Sequence, residues 1–440
     1  MRGRSVVTAS DSQALQLVQQ CERAFALGRR EEAQRLLGAA RASYPNHPLV
    51  LNAAAVQALH GGDPHSARQL IQAAIEADEA NPAFWVNLAT VMRRLEAPAE
   101  EMRALQRALA LDPRHLLALL QKAALLELQG KRRSAATAYH NALKTLPANA
   151  QVPESLRAPL EHAAQVVRDN DAALATFLGN ELTQVRDEHG SENQERFDHC
   201  VDALLGKRRI YTSTPSFLHF PKLPAWEFYP RQDFPWLSDI ESASAAIRDE
   251  LASVCATNEG IEPYIAYPAG VPLDQWAALN HSRRWSVFYL WRDGKPVKEH
   301  LERCPRTAAL LADVPHVDVP GYAPTAFFSI LDAKSHIPAH TGVTNTRLIV
   351  HLPLVVPPQC RFRVGSETRT WREGTAWVFD DTIEHEAWND SDLPRAVLIF
   401  DVWNPYLSVA ERALVRTATR ALRDYYRQEP GGEDSSVESL

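Results

Sequence analysis

The chain of 440 residues carries only five cysteines, Cys21, Cys200, Cys255, Cys304 and Cys360. They are odd in number, far apart and free of any CxxC or CxxH spacing, which excludes a disulfide framework and a structural zinc site and points to a reducing compartment. Long apolar runs are also missing. Nothing approaches the roughly 18 residues of a membrane-spanning helix, and MRGRSVVTASDSQALQ has a basic start without the apolar stretch of a secretory signal. A cytoplasmic protein with no integral membrane segment is therefore expected. Positive charge is not in excess: 47 Lys and Arg face 54 Asp and Glu, a net charge of -7, so nucleic acid is not an expected partner.

What the chain does contain is enough apolar residue, 45%, for two or three domains that fold without staples. The first third is periodic. Ala40, Ala74, Ala108 and Ala142 are 34 residues apart, as are Cys21, Ala55, Ala89 and Ala123; Ala33 and Ala67 keep the same interval, with Ala135 at the fourth position. Pro45, Pro113 and Pro147 close three units. Each unit reads as two helices broken by turn residues such as Gly61 and Gly62. Small residues recur where neighbouring helices approach closely. The pattern resembles the tetratricopeptide repeat, with Glu101 in place of the recurring alanine and Glu79 in place of the closing proline; neither charge is fatal to a solenoid whose stability sums over neighbours. The resemblance implies a concave surface for a peptide or protein, or a packing and oligomerisation scaffold.

Helical pattern continues to about residue 207 without visible chemistry. Prolines and aromatics then crowd together in TPSFLHFPKLPAWEFYPRQDFPW. After one more helix come short β-rich runs, WSVFYLW, APTAFFSIL, TRLIVHLPLVV, CRFRVG, TRTWREG, TAWVFDD and RAVLIFDVW, separated by Gly, Pro, Asn and Asp turns. Such a series predicts a double-sheet jelly roll with its site between the sheets. The expected organisation is a multidomain α + β chain: repeats over 14–149, a helical cap over 150–207, a jelly-roll (double-stranded β-helix, cupin-like) domain over 208–425, and a disordered acidic tail over 426–440.

Two histidines stand at strand edges beside turn residues, His340 in HIPAHTGVTN and His385 in FDDTIEHEAWND. Neutral imidazole suits iron, zinc or copper, but two histidines among 16 also fit a surface role. The carboxylate that a two-histidine, one-carboxylate iron site places two residues after the first histidine is absent, because that position is Gly342. Asp380 and Asp381 read as a turn pair hydrogen-bonded to backbone amides. Trp371, Trp377, Trp388 and Trp403 read as packing residues.

The whole stretch from FFSILDAKSHIPAHTG to RAVLIFDVWNP resembles the aspartyl/asparaginyl β-hydroxylase family: HTG, N-x-R-L-x-x-H-L-x-L, W-x-E-G, FDD-x-x-x-HE-x-W and R-x-x-L-I-x-D-x-W. With the lead-in FYPRQDFPW and ERCPRT, the resemblance runs from Phe228 to Leu407. It implies an iron(II)- and 2-oxoglutarate-dependent dioxygenase that consumes O2, holding iron with His340 and His385 and using water where other oxygenases place a carboxylate, so that Gly342 is as the family has it. It further implies that Ser329, His351 and Arg395 contact 2-oxoglutarate, with Arg347 a weaker candidate for a cosubstrate or substrate carboxylate. A guanidinium fork suits a carboxylate. The product implied is a hydroxylated β-carbon of Asp or Asn in a peptide or protein held by the repeats. Some family members carry a second arginine where this chain has Ile349, and others act on lipid acyl chains or carrier-bound small molecules, which leaves those substrates open. A non-catalytic repeat adaptor is the alternative of another class.

Overall fold

The 34-residue spacing is realised as four helical hairpins. The computed structural model describes residues 9–147, 151–190, 194–319 and 321–427; apart from residues 426 and 427, the acidic tail lies outside them. The hairpins pair α1 (Ala9–Ala26) with α2 (Arg30–Ser43), α3 (Pro48–His60) with α4 (Pro64–Ala77), α5 (Pro82–Arg94) with α6 (Pro98–Leu111), and α7 (Leu116–Leu128) with α8 (Arg132–Lys144). The recurring small residues are the close contacts: Cys21, Ala55, Ala89 and Ala123 on the first helices and Ala40, Ala74, Ala108 and Ala142 on the second are all buried. A larger side chain at any of them would overpack the hairpin by about 1–3 kcal/mol.

Each hairpin turns in the same way. The N–H groups of Arg29, Asp63, Ala97 and Lys131 donate back to the carbonyls of Ala24, Ala58, Met92 and Leu126, the long bond of a Schellman cap. The cap needs a left-handed residue, which is Gly28, Gly62 and Gly130 in three hairpins and Glu96, at φ +54°, in the other. Glu101, the charge at an alanine position, is 2% exposed and pairs with Arg93 at 2.6 Å, so the repeat absorbs it with a local ion pair. The carbonyl of Glu79, at the missing proline, accepts the indole N–H of Trp85. Beyond the last hairpin, α9 (Glu154–His189) buries Leu160 and Ala163 against α7 and α8.

The chain divides into two compact units, Met1–Gln194 and Glu195–Leu440. The second runs α10 (Glu195–Leu204), α11 (Leu237–Ser242), α12 (Ser244–Thr257), β1 (Glu262–Pro263), β2 (Trp285–Arg292), β3 (Lys295–Pro296), α13 (Lys298–Arg303), α14 (Pro305–Ala312), β4 (Ala326–Leu331), β5 (Ser335–His340), β6 (Arg347–Val355), β7 (Cys360–Val364), β8 (Glu367–Arg369), β9 (Trp377–Phe379), β10 (His385–Asn389), β11 (Arg395–Trp403) and α15 (Val409–Arg427). The large sheet has the order β1-β2-β4-β11-β6-β9 with β3 on β2; the small sheet is β5-β10-β7-β8. All pairings are antiparallel. From β4 to β11 the chain alternates between the two sheets, apart from the β7–β8 hairpin within the small one, the winding of a double-stranded β-helix.

Alternation along each strand then sorts the side chains. On β4, β6 and β11 even-numbered residues such as Phe328, Val350, Leu398 and Phe400 pack against Leu237, Ile247 and Leu251 of the helices. Odd-numbered residues face the small sheet, where Leu331 and Val397 meet Phe362, Val364 and Ala387. The runs expected as strands are strands, with one qualification: TRTWREG contributes only Thr368 and Arg369, the end of β8, and Trp371 follows in irregular but buried chain. The expected series omits β5 and β10. SHIPAH contains a proline and two histidines and HEAWN only two apolar residues, so neither has the β-branched composition that marks a strand.

Candidate active site

The odd-numbered face of the large sheet carries Ser329 on β4, Arg347 and His351 on β6, and Arg395 on β11. Strand register brings them together: Val397 lies opposite Ser329 and Ile399 opposite His351, while Arg347 is opposite Trp403. From the small sheet, His340 at the end of β5 lies directly across the ladder from His385 at the start of β10, with ring centroids 4.1 Å apart. All six line one cavity of about 950 Å³ between the sheets.

Both histidines are set up as neutral nitrogen donors. The Nδ1 of His340 meets the carbonyl of Pro338 at 2.8 Å and that of His385 the carbonyl of Ile383 at 3.0 Å. A carbonyl only accepts, so the ring proton sits on Nδ1 and the Nε2 lone pair is left free. Burial lowers the pKa of both, His385 well below its ordinary value. Among the described residues no three His, Cys, Asp or Glu side chains converge as a metal set; the donor set is the two imidazoles, of the softness that iron(II) accepts.

Arg395 is 1% exposed. Its guanidinium stacks on Trp371, 4.6 Å from the ring centroid, and touches Ser329 Oγ at 3.4 Å; Trp285 donates its indole N–H to the same oxygen at 3.1 Å. No carboxylate pairs with it among the described residues. Burial alone pulls its pKa down to about 10, and its Nε and the Nδ1 of nearby His351 are buried without partners. Burial, then the charge of Arg395, holds His351 neutral. An uncompensated buried guanidinium beside orphaned nitrogens is expensive in an empty protein, and an anion with several acceptor oxygens would satisfy all of them. These residues fit both groups that the sequence implies.

Arg347 is differently placed. Its guanidinium is 3.1 Å from Asp401 and 3.7 Å from Asp381, and although burial opposes it, those carboxylates keep it firmly charged. Asp381 corrects the sequence reading of a backbone-bonded turn pair. Asp380 does accept from the Thr382 amide and hydroxyl, but Asp381 points into the cavity, and burial lifts its pKa to about 7 against the pull of Arg347. It lies over Gly342 so closely that a Cβ there would fall 2.2 Å from its Oδ2. Position 342, where a ligand carboxylate is absent, is therefore covered by a carboxylate from another strand connection.

Trp371 is buried in the core between the sheets, as a packing residue, and its ring lies against the Arg395 guanidinium. Sequence reading also missed Trp285, Tyr264, Trp276, Tyr322 and Asp401, which line the same cavity. Of these, only Asp401, as the aspartate of R-x-x-L-I-x-D-x-W, carried a signal.

The unit is thus a double-stranded β-helix that sets two neutral imidazoles and a buried arginine, without a carboxylate partner among the described residues, on one cavity. Residues 241–405 match the family model described as Aspartyl/Asparaginyl beta-hydroxylase. Over 196 residues, 44% of this chain and 66% of the relative, it is 34% identical to the ornithine lipid ester-linked acyl 2-hydroxylase of Rhizobium tropici. Over 144 residues, 32% of this chain but 19% of the relative, it is 38% identical to the aspartyl/asparaginyl beta-hydroxylase of Mus musculus. In the helical unit, the Arabidopsis OM64 TPR domain aligns with 28% of this chain and 95% of its own length, at 19% identity and a TM-score of 0.25.

Proposed function

We propose that the chain is an iron(II)- and 2-oxoglutarate-dependent hydroxylase of an unactivated carbon. The observation that carries this is Arg395, fully buried and without a carboxylate partner among the described residues, in the same cavity as two histidines held neutral with free Nε2 atoms. His340 and His385 would hold the metal through Nε2, each oriented by its backbone carbonyl. Arg395, with the Ser329 hydroxyl, would bind the distal carboxylate of 2-oxoglutarate, and His351 would supply a further polar contact. Trp285 positions Ser329, and Trp371 supports the guanidinium. When bound, iron(II) with 2-oxoglutarate supplies the O2 chemistry that hydroxylates a C–H bond as the cosubstrate becomes succinate and CO2. The aromatic walls keep water from that chemistry.

For the substrate, the β-carbon of Asp or Asn in a peptide or protein held by the helical repeats is the reading that the family name suggests. A lipid acyl chain, as in the name of the Rhizobium tropici relative, is favoured by one specific observation: Arg347, the candidate for a substrate carboxylate, is already committed to Asp381 and Asp401, and Ile349 stands where a second arginine would be.

The test is anaerobic titration of the full chain with iron(II) and 2-oxoglutarate, following the visible charge-transfer band of their chelate. The band is expected in the wild type, absent in His340→Ala and in His385→Ala, and shifted to higher 2-oxoglutarate in Arg395→Ala. A folded wild-type protein that shows no band sinks the reading and leaves a repeat adaptor.

A further inference from the structure

The C-terminal helix brings to the mouth of this cavity a cation that the family-matched segment lacks. α15 lies beyond residue 405, where that match ends, yet Thr419, Leu422 and Arg423 line the cavity together with Gly321 and Tyr322. Four guanidiniums reach the cavity wall: Arg292, Arg347, Arg395 and Arg423. Arg347 is held by two aspartates. Arg292 is paired with Glu262 at 2.8 Å and lies 3.8 Å from Asp293. Arg395 is taken by the cosubstrate in the reading above. Arg423 has no carboxylate partner among the described residues; it donates only to the carbonyl of Gly321, at 2.5 Å.

Gly321 has φ +78°, a conformation that favours glycine, and without a side chain it leaves room for the guanidinium, since a Cβ there would fall 1.5 Å from the Arg423 Nη1. Next to it the hydroxyl of Tyr322 is buried without a partner. The same cavity has an aromatic wall that starts at His340, where Trp276 and Trp285 have ring centroids 5.0 and 6.5 Å away, and continues through Tyr264 and Phe327 to Tyr289. The volume of about 950 Å³ is at the upper end for small-molecule sites, far more than one small dianion fills. A charged group laid along the aromatic wall would lose its hydration without a partner; an apolar chain would not.

We propose that the substrate is an amphiphile that lays an uncharged acyl or alkyl segment along the aromatic wall toward His340 and His385 and rests its anionic group, a carboxylate or a phosphate, on Arg423 of the C-terminal helix. This rests on the hydroxylase reading and names its substrate class. The C-terminal helix, outside the matched segment, is then a specificity element of this chain.

The test is calorimetric titration of the full chain, loaded with manganese(II) and saturating 2-oxoglutarate so that Arg395 is occupied. The probes are dodecanoate, dodecyl phosphate and dodecanol, each below its micelle concentration. One or both anions are expected to bind about tenfold more tightly than the alcohol, the gain of one hydrogen bond to a charged group, and their ratio tells carboxylate from phosphate. Arg423→Ala should erase that difference and leave 2-oxoglutarate binding unchanged. Arg420→Ala, an exposed site on the same helix that does not line the cavity, should preserve it. Equal anion binding by wild type and Arg423→Ala overturns the proposal. So does the absence of amphiphile binding in a protein that still takes up 2-oxoglutarate, or a preference for a short aspartate-containing peptide over both anions. Failure to take up 2-oxoglutarate condemns the hydroxylase reading instead, and the Arg423 contrast measured without cosubstrate then decides the amphiphile site alone.

Discussion

Arg395 shows how a single buried charge separates a binding residue from a structural one. A structural arginine in a core has carboxylate partners, as Arg347 has, and removing it strands them. Arg395 has none among the described residues, so Arg395→Met should leave the melting temperature of the ligand-free protein unchanged or higher. Wild-type protein should gain about 2.7 kcal/mol when 2-oxoglutarate, with metal, is raised to 100 times its Kd, and the variant at that concentration should gain far less. Thermal denaturation with and without the cosubstrate measures both, and a large drop for the ligand-free variant would make Arg395 a packing residue. Gly342 and Asp381 form a second residue-scale pair. Gly342→Ala places a methyl against the Asp381 carboxyl and should destabilise by about 1–3 kcal/mol. Adding Asp381→Ala should recover part of that loss, because residues in contact are not additive. Urea unfolding of the two single variants and the double variant reads the coupling; strict additivity would mean that the close approach carries no energy.

At the scale of elements, the helical hairpins are governed by backbone conformation at one turn position. Three have glycine there and the other has Glu96 at φ +54°. A left-handed residue with a Cβ costs roughly 1–2 kcal/mol, and glycine returns part of that gain through its freer unfolded chain. Glu96→Gly should therefore stabilise the helical unit by about 0.5–1 kcal/mol, seen as a higher urea midpoint at unchanged slope. The corresponding Gly62→Glu should do the reverse. In the jelly roll the same logic runs through pairing. β5 and β10 are short and polar in sequence, yet each is held by a neighbour, and their facing ends set His340 opposite His385.

Across the whole molecule the cysteines report packing. Cys21, Cys304 and Cys360 are buried, whereas Cys200 and Cys255 are exposed. Burial raises the Cys304 pKa to about 12 and, less strongly, those of Cys21, Cys255 and Cys360. A colorimetric thiol reagent at pH 8 should thus modify Cys200 quickly and Cys255 more slowly, and reach the other three only on unfolding. Rapid modification of Cys360 in native protein would show that the core between the two sheets opens readily. Among the described residues no helix is long and apolar enough to cross a membrane, which agrees with the lack of long apolar runs.

What could be read from the sequence was whatever repeats or alternates locally. The 34-residue interval appears as buried small residues because helix contacts recur with the chain's own period, and the near-continuous apolar runs of β2, β4, β6 and β11 appear because a strand between two layers must be apolar on both faces. His340, His385, Ser329, His351 and Arg395 were nameable as a set through motif resemblance. Their convergence on one cavity was not, since it depends on strands far apart in the chain becoming neighbours. Only the tertiary structure decided that Arg395 is buried without a counterion among the described residues, that Arg347 is spent on Asp381 and Asp401, that Asp381 covers Gly342, and that Arg423 of the last helix lines the cavity. Each of these depends on which side chains the fold brings within hydrogen-bond reach or removes from water, and neither quantity is a property of local sequence.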